Sequence, residues 1–308
     1  MDSCGLNATI LIMEVSRSLK TENGTSLHYR LTRGDTTRQK LIILLHGVAS
    51  NLTRWSEFVE YTTLKNSWDV LRLDMRGHGD SLSRGPLGME VWCQDLIRIL
   101  DAEGYAQAVL VGHSLGAQVA MQFAARYPAR TRGLVLIDPI FPAALHGDMR
   151  TASRLKPLIW TIIFFLRFLG KLGLHRRHIP KRDLRKLDEE TREKLLDVGK
   201  QEEMIKHYSS VWEDLKFFPV ANYLQETMEV IRPLPPLTQI QAPVLVLLSS
   251  GVTYADPAAA RKTLAALANL EIVTINAYHW PLTEKPLEVR AAIENWCKRF
   301  EPCVCLPL

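Results

Sequence analysis

Cysteine is scarce in this 308-residue chain, and its five copies follow no regular spacing. An odd number of them argues against a disulfide framework, and the Cys303-x-Cys305 pair has no second pair with which to bind zinc. No GxGxxG pattern follows a strand-like run either. We therefore expect a reducing compartment, the cytoplasm, and a protein that needs neither a metal nor another cofactor.

Long uninterrupted apolar runs are also missing. The stretch from Leu158 to Leu174 comes nearest, but Arg167, Lys171 and two glycines interrupt it, and a membrane span needs about 18 to 20 apolar residues. The run from Ala8 to Met13 is shorter than the apolar region of a signal peptide, and no basic residues precede it. The sequence thus predicts neither a transmembrane helix nor an export signal.

Positive charge is only mildly in excess, since the chain has 38 Lys and Arg and 33 Asp and Glu. The net charge of +5 is too small for a protein whose surface binds nucleic acid, and we expect none as a partner. The excess is local: eleven basic residues and one acid, Asp183, lie from Arg150 to Lys186. We expect residues 171–186 to form a solvated face, with contact to an anionic membrane surface as the alternative.

Short apolar runs alternate with segments of helical periodicity along most of the chain. Strands are predicted at 41–45, 70–73, 108–111, 133–137, 244–248 and 272–275, and helices at 88–102, 115–127, 257–268 and 286–300. This alternation is typical of the α/β class, with a mostly parallel sheet flanked by helices. Residues 139–236 contain no strand-like run and close with Pro233, Pro235 and Pro236. We expect a core of 1–138 and 237–308 that carries a helical insertion at 139–236.

One pentapeptide, Gly112-His113-Ser114-Leu115-Gly116, lies between a predicted strand and a predicted helix. This is the setting of a G-x-S-x-G nucleophile elbow, in which a tight turn exposes the serine at the start of the helix. Side chains at either glycine would collide in so tight a turn. Ser114 is the candidate nucleophile.

A serine hydroxyl is a weak nucleophile, so it needs a base and the base needs an orienting acid. The chain order after such an elbow is serine, acid, histidine, and His279 is the only histidine that follows His207. Two carboxylates compete for the role of acid. Asp256 follows the strand at 244–248 and is favoured, although it also suits the N-cap of the next helix; Asp138, which directly follows the strand at 133–137, is the alternative.

An oxyanion site is predicted beside the serine. Gly47 follows the strand at 41–45 and lets the chain bend, so that the N–H of Val48 faces the same point as the N–H of Leu115. His46 is expected to brace this loop rather than to transfer protons.

Several motifs together resemble the landmarks of the α/β-hydrolase family. They are His46-Gly47 with Trp55 downstream, Asp74 to Ser81 (DMRGHGDS), Gly112 to Gly116, Leu136 to Pro139 (LIDP) and His279 to Leu282 (HWPL). The resemblance runs from about residue 25 to residue 300. It implies that Asp74 to Ser81 is a structural loop and that 139–236 is a cap over the active site. One departure keeps Asp138 open as the acid: members commonly place the acid three residues after a glycine, whereas Gly251 precedes Asp256 by five.

The cap implied by the resemblance is rich in aromatic residues, and Trp160, Phe164, Trp212 and Tyr223 are the candidate substrate-binding residues. A serine nucleophile favours acyl transfer through an acyl-enzyme, and the expected substrate is a small apolar carboxylic ester with a medium-length acyl chain. Thioesters, lactones and C–C bonds are alternatives for the same triad. A ligand-binding, receptor-like protein of this fold is the non-enzymatic alternative.

Overall fold

An eight-stranded sheet forms the centre of the computed structural model, which describes residues 13–34, 40–145, 147–196 and 198–301, without the side chains of 147–149. The strands are β1 Met13–Lys20, β2 Ser26–Arg33, β3 Leu41–Leu45, β4 Asp69–Leu73, β5 Ala108–His113, β6 Thr131–Ile137, β7 Val244–Ser249 and β8 Leu270–Ile275. Their order is β1-β2-β4-β3-β5-β6-β7-β8. Strand β2 is antiparallel to both neighbours, and β3 to β8 are parallel. The predicted α/β class and its mostly parallel sheet are confirmed. The apolar run at 8–12 and the Cys303-x-Cys305 pair lie outside the described residues.

The helices occupy both faces of the sheet and the long connection between β6 and β7. Those of the core are α1 Ser56–Tyr61, α2 Met89–Glu103, α3 Leu115–Arg126, α10 Pro257–Leu264, α11 Pro281–Glu284 and α12 Pro286–Cys297. The connection, residues 139–236, is called the helical segment below. It holds α4 Gly147–Arg154, α5 Lys156–Lys171, α6 Leu184–Thr191, α7 Gln201–Tyr208, α8 Val211–Phe217 and α9 Val220–Val230, with a π-turn at Arg192–Leu196. None of the helices within the described ranges combines the length and hydrophobicity needed to cross a bilayer.

The central strands are buried on both faces, which explains why they are uniformly apolar. In β3, Leu41, Ile43 and Leu45 pack into a core cluster on one face of the sheet. The alternate residues Ile42 and Leu44 pack into a second cluster on the other face. Parallel strands covered by helices on both sides have continuous apolar sequences for this reason.

The start of the helical segment and the end of its last helix meet at one side chain of helix α3. The buried Gln118 side chain donates hydrogen bonds from Nε2 to the carbonyl oxygens of Ile140, at 2.7 Å, and Val230, at 2.8 Å. Ile140 lies where the segment begins and Val230 is the last residue of α9. The two ends of the segment are therefore held together four residues after Ser114.

Candidate active site

The turn between β5 and α3 places Ser114 in a conformation that its neighbours enforce. Ser114 has φ +51°, which is in the left-handed region and costs free energy for a residue with a side chain. A Cβ on Gly112 would lie 2.3 Å from the Gly116 carbonyl carbon, and one on Gly116 would lie 2.5 Å from the Leu45 carbonyl oxygen. Only glycine fits at either position, as the G-x-S-x-G pattern predicted.

The imidazole of His279 reaches Ser114 from the loop after β8. Its Nε2 lies 3.0 Å from Ser114 Oγ, within hydrogen-bond distance. The backbone carbonyl of His279 accepts a hydrogen bond from His113 Nε2 at 2.8 Å, which fixes the loop against the elbow. Burial is the main cause that lowers the pKa of His279 well below its ordinary value. The ring is thus held neutral, the form in which it accepts a proton.

The structure corrects the favoured choice of acid. Asp256 is exposed, and its Oδ1 accepts a hydrogen bond from Ala258 N at 3.0 Å, so its carboxylate caps helix α10. The alternative, Asp138, follows β6 with its Oδ2 4.0 Å from His279 Nδ1. The carboxylate that faces His279 is therefore that of Asp138, and Asp256 has the helix-capping role that a residue before Pro257 often has.

Asp138 is held on the far side of the imidazole from Ser114 by a strained backbone and by β7. Its φ is +44°, again in the left-handed region. Its carboxylate accepts hydrogen bonds from Ser249 N at 2.7 Å and from Ser249 Oγ. Burial raises the pKa of Asp138 to about 7, and the bonds from Ser249 oppose that rise. The serine hydroxyl, the imidazole and this carboxylate lie side by side in the spatial order of a hydrolytic triad, with the imidazole between the other two.

The loop after β3, which carries the predicted oxyanion donor Val48, packs against the elbow: a Cβ on Gly47 would lie 3.5 Å from the Cβ of Ser114. Val48 lines the cavity beside Ser114. The other predicted donor, Leu115, is the first residue of α3, and the N–H of a first residue has no partner within its helix. The next residue, Ala49, has φ +48°, and its N–H donates to Glu226 Oε2 of α9 at 3.3 Å. The helical segment thus holds the loop that carries one of the two donors.

A cavity of about 110 Å³ opens beside Ser114 and His279. The helical segment supplies much of its wall. Its lining combines apolar and polar side chains: Ile140, Val230, Trp280, Tyr208, Tyr223, Tyr254, Thr227, Ser50, Arg54 and Asp214. The hydroxyl of Ser50 is buried and has no hydrogen-bond partner within the described residues, which leaves it available to a bound molecule.

Of the four predicted substrate-binding residues, the structure places only Tyr223 in this cavity. Trp160 and Phe164 line a second, larger and mainly apolar cavity of about 630 Å³ between α5 and the start of α9. Trp212 is 80% exposed and lines neither cavity. The expectation of a medium-length acyl chain depends on the apolar run at 158–169, and no residue of that run lines the cavity beside Ser114.

Two charged residues of the cavity were not expected from the sequence. The Arg54 guanidinium is buried, forms an ion pair with Asp188 and donates to Thr283 Oγ1 at 3.0 Å. Asp214 Oδ1 lies 3.8 Å from Arg182 Nη1, and burial raises the pKa of the Asp214 carboxyl to about 7. Arg54 stands directly before the motif residue Trp55, so its position was visible in the sequence. Nothing in the sequence singles out Asp214, because it lies among other charged residues on α8.

One group in the described residues has the composition of a metal site. His28, Asp74 and Asp80 have ligand-type atoms within 4.8 Å of one another. The Asp74 carboxylate already accepts from Leu52 N at 2.8 Å and from Asp80 N at 2.8 Å. Asp80 also forms an ion pair with Lys181. These oxygens stabilise the loop from Asp74 to Ser81, and nothing in the group points to an ion.

Comparison with known proteins agrees with the fold. The chain is 26% identical over 292 residues to the sn-1-specific diacylglycerol lipase ABHD11 of Mus musculus, covering 91% of this chain and 89% of that protein. It is 27% identical over 289 residues to epoxide hydrolase 3 of Xenopus tropicalis, covering 90% and 76%. The structure of the enol-lactonase from Burkholderia xenovorans LB400 superposes with a TM-score of 0.66 at 20% identity, covering 92% of this chain and all of that one.

A family model matches far more than half of the chain. The match spans residues 42–292, from β3 into α12, and so includes the elbow, the loop after β3 and His279. The fold and the resemblance of the motifs agree with it. The chain belongs to the alpha/beta hydrolase family.

Proposed function

We propose that this hydrolase cleaves carboxylic esters with Ser114 as the nucleophile, His279 as the base and Asp138 as the orienting acid. The observation that carries the proposal is the 3.0 Å contact between Ser114 Oγ and His279 Nε2, two residues that line the same cavity. An epoxide hydrolase of this fold uses an aspartate where this chain has Ser114. The relative named as a diacylglycerol lipase supports ester chemistry.

The reaction proceeds in two acyl transfers. Ser114 Oγ attacks the ester carbonyl carbon while its proton passes to His279 Nε2. The oxyanion of the tetrahedral intermediate accepts hydrogen bonds from the N–H groups of Val48 and Leu115. The imidazolium then protonates the leaving alcohol, and the acyl group stays on Ser114. Water, deprotonated by His279, repeats the attack and releases the acid.

The helical segment acts in this proposal as a cap that limits the size of the acyl group. An apolar cavity of about 150 Å³ accommodates benzene, so a cavity of about 110 Å³ suits an acyl group of about two to four carbons. Ile140, Val230 and Trp280 supply its apolar surface. We therefore propose a short acyl chain for the substrate, in place of the medium-length chain expected from the sequence.

A series of p-nitrophenyl esters from acetate to dodecanoate, with matched thioesters and lactones, tests the reaction and the acyl group together. We expect kcat/KM to be highest near butyrate and to fall for longer chains. The Val230→Ala variant widens the cavity and should shift the optimum by one or two carbons toward longer chains. The Phe164→Ser variant changes an exposed residue that lines the second cavity and not the one beside Ser114, so it is the matched control and should leave the optimum unchanged.

The nucleophile is tested by covalent labelling. A fluorophosphonate should modify Ser114, as located by mass spectrometry of the labelled peptide, and Ser114→Ala should lower kcat by about a thousandfold or more. Label on another residue, or esterase activity retained by Ser114→Ala, would contradict the mechanism. A preference for thioesters or lactones over esters would keep the triad and change the substrate class.

A further inference from the structure

Helix α5 exposes an unusually large number of bulky apolar side chains. Phe164 is 76% exposed and Leu172, directly after the helix, is 61% exposed. The exposed apolar residues form two neighbouring stripes along and beside α5: Leu155, Leu158, Ile162, Phe165 and Leu172 in one, and Trp160, Phe164 and Phe168 in the other. Clusters of this kind on a protein surface usually mark an interaction site.

The opposite side of α5 is firmly attached to the molecule. Ile163 is buried and packs against Met228 of α9 and Ile231 in a small core cluster. One turn later, Arg167 Nη2 donates to Gln225 Oε1 of α9 at 2.7 Å. The apolar stripes therefore stand on a supported helix and do not result from a helix that has lost its packing.

The exposed surface is too broad for a helix–helix seam. A coiled-coil seam uses one narrow stripe with a spacing of three and four residues. Here the second stripe, with a spacing of four, lies beside the first, and it includes two phenylalanines and a tryptophan. A wide surface of aromatic and branched side chains is typical of helices that lie in the interface of a bilayer.

The charge around α5 distinguishes a lipid surface from a second copy of the chain. Nine Lys and Arg and no Asp or Glu lie from Arg150 to Arg182. Lys171 and Arg177 are exposed and have no ion-pair partner within the described part of the chain. Two copies that met through this face would bring like charges together, whereas anionic lipid head groups would neutralise them.

We propose that α5 and the basic residues that follow it dock the protein on an anionic lipid bilayer, with the helix parallel to the membrane plane. The 16 residues of α5 extend about 24 Å along the surface. The aromatic and aliphatic side chains enter the head-group region while Lys171 and Arg177 contact lipid phosphates. This docking needs no part of the catalytic site, so Ser114→Ala should bind as the wild type does.

Co-sedimentation with vesicles tests the docking. We expect the protein to bind vesicles of phosphatidylcholine that contain about 30% phosphatidylglycerol and to bind pure phosphatidylcholine at least about tenfold more weakly. High salt should weaken the binding to anionic vesicles, because it screens the attraction between exposed charges.

Paired variants separate the apolar contribution from the charge. Phe164→Ser/Phe165→Ser and Lys171→Glu should each weaken binding to anionic vesicles by about tenfold or more. Leu287→Ser on α12 and Lys262→Glu on α10 make the same kinds of change at exposed sites outside the helical segment and should bind as the wild type does. The five substitutions in these four variants are at exposed positions, and unchanged thermal melts would show that the variants are folded.

Three outcomes would overturn the docking. They are a wild-type protein that does not bind anionic vesicles, equal binding by the α5 variants, and binding that ignores lipid charge. A dimer in size-exclusion chromatography that dissociates in Phe164→Ser/Phe165→Ser, without vesicle binding by the wild type, would assign the surface to a second copy of the chain.

Discussion

The side chain that faces His279 decides which aspartate matters for turnover. Asp138→Asn should lower kcat by about a hundredfold to ten-thousandfold, because the amide neither orients the imidazole nor stabilises the imidazolium. Asp256→Asn should leave kcat within about twofold, since asparagine also caps a helix. Steady-state kinetics with p-nitrophenyl butyrate compares them directly. A large loss of kcat for Asp256→Asn with a small one for Asp138→Asn would instead assign the role of the acid to Asp256.

A second residue, His46, makes stability depend on pH. Its Nε2 accepts a hydrogen bond from Met75 N at 3.1 Å and its Nδ1 contacts the Gly47 carbonyl at 2.9 Å, so the folded state needs the neutral ring. Burial lowers the pKa of His46 from 6.5 to about 3. Because the unfolded chain takes up this proton first, the contribution of His46 to stability is complete above pH 6.5 and decreases as the pH falls toward 3.

The size of this effect can be measured by urea unfolding between pH 7 and pH 5. Over that range His46 should lower the free energy of unfolding by about 2 kcal/mol in total, with a slope that rises toward about 1.4 kcal/mol per pH unit as the histidine of the unfolded chain becomes fully protonated. The His46→Gln variant should be less stable at pH 7 and should lose that part of the slope. His175→Gln, at an exposed position, is the control and should keep the wild-type slope.

At the scale of elements, helix α9 of the helical segment contacts the loop after β3. This loop, residues 46–49, carries the proposed oxyanion donor Val48 and is called the oxyanion loop below. Glu226 Oε1 lies 3.0 Å from His78 Nε2, and both side chains are fully buried. Burial disfavours a charged His78, but the Glu226 carboxylate outweighs it and raises the pKa of His78. The other carboxylate oxygen accepts from Ala49 N, next to Val48. In the proposed mechanism, Glu226 therefore positions the Val48 N–H.

The Glu226→Gln variant tests that role. We expect kcat to fall by about tenfold with KM nearly unchanged, because the oxyanion donor acts mainly in the transition state. Glu229→Gln on the same helix is the matched control: its Oε2 accepts from Met89 N at 3.2 Å, away from the oxyanion loop. A loss of stability without a change in kcat in both variants would show that Glu226 is only structural.

The sequence predicts an element well when the contacts that determine its shape lie between residues close together in the chain, and poorly when they lie between distant residues. The elbow was predictable because the turn leaves no room for a side chain at Gly112, which lies against the Gly116 backbone, or at Gly116, which lies against the Leu45 backbone. Strands β1 and β2 were missed: β1 is mostly exposed, and β2 shows its burial only as the alternation Leu27, Tyr29 and Leu31.

The choice of acid depended on the path of the loop after β7, which no local pattern reveals. Gly251 packs against the Tyr278 ring, and Asp256 N donates to Ala144 O at 2.9 Å, across the loop from β6. These contacts turn Asp256 into the N-cap of α10. A catalytic aspartate and a capping aspartate at the same sheet edge have the same sequence signature, so only the fold separates them.

At the scale of the whole molecule, two buried thiols report on opposite faces of the sheet. Cys93 belongs to the core cluster on one face and Cys297 to the cluster on the other. Burial raises the pKa of each thiol to about 12, so neither is reactive in the folded protein.

Thiol labelling followed by peptide mass spectrometry therefore measures how cooperatively the core unfolds. We expect Cys93 and Cys297 to be modified at the same rate at each urea concentration, because both clusters share the same strands. Faster modification of one thiol would show that its face of the sheet opens first.

The double hydrogen bond of Gln118 has a consequence for how this protein diversifies. Since Ile140 and Val230 meet at one amide group, the chain leaves the core and returns to it at nearly the same point. Insertions or deletions between these two residues should therefore leave β6, β7 and the elbow in place while they reshape the wall of the cavity beside Ser114. Helix α9 is the part that such changes must keep, because its Glu226 side chain holds the loop that carries Val48.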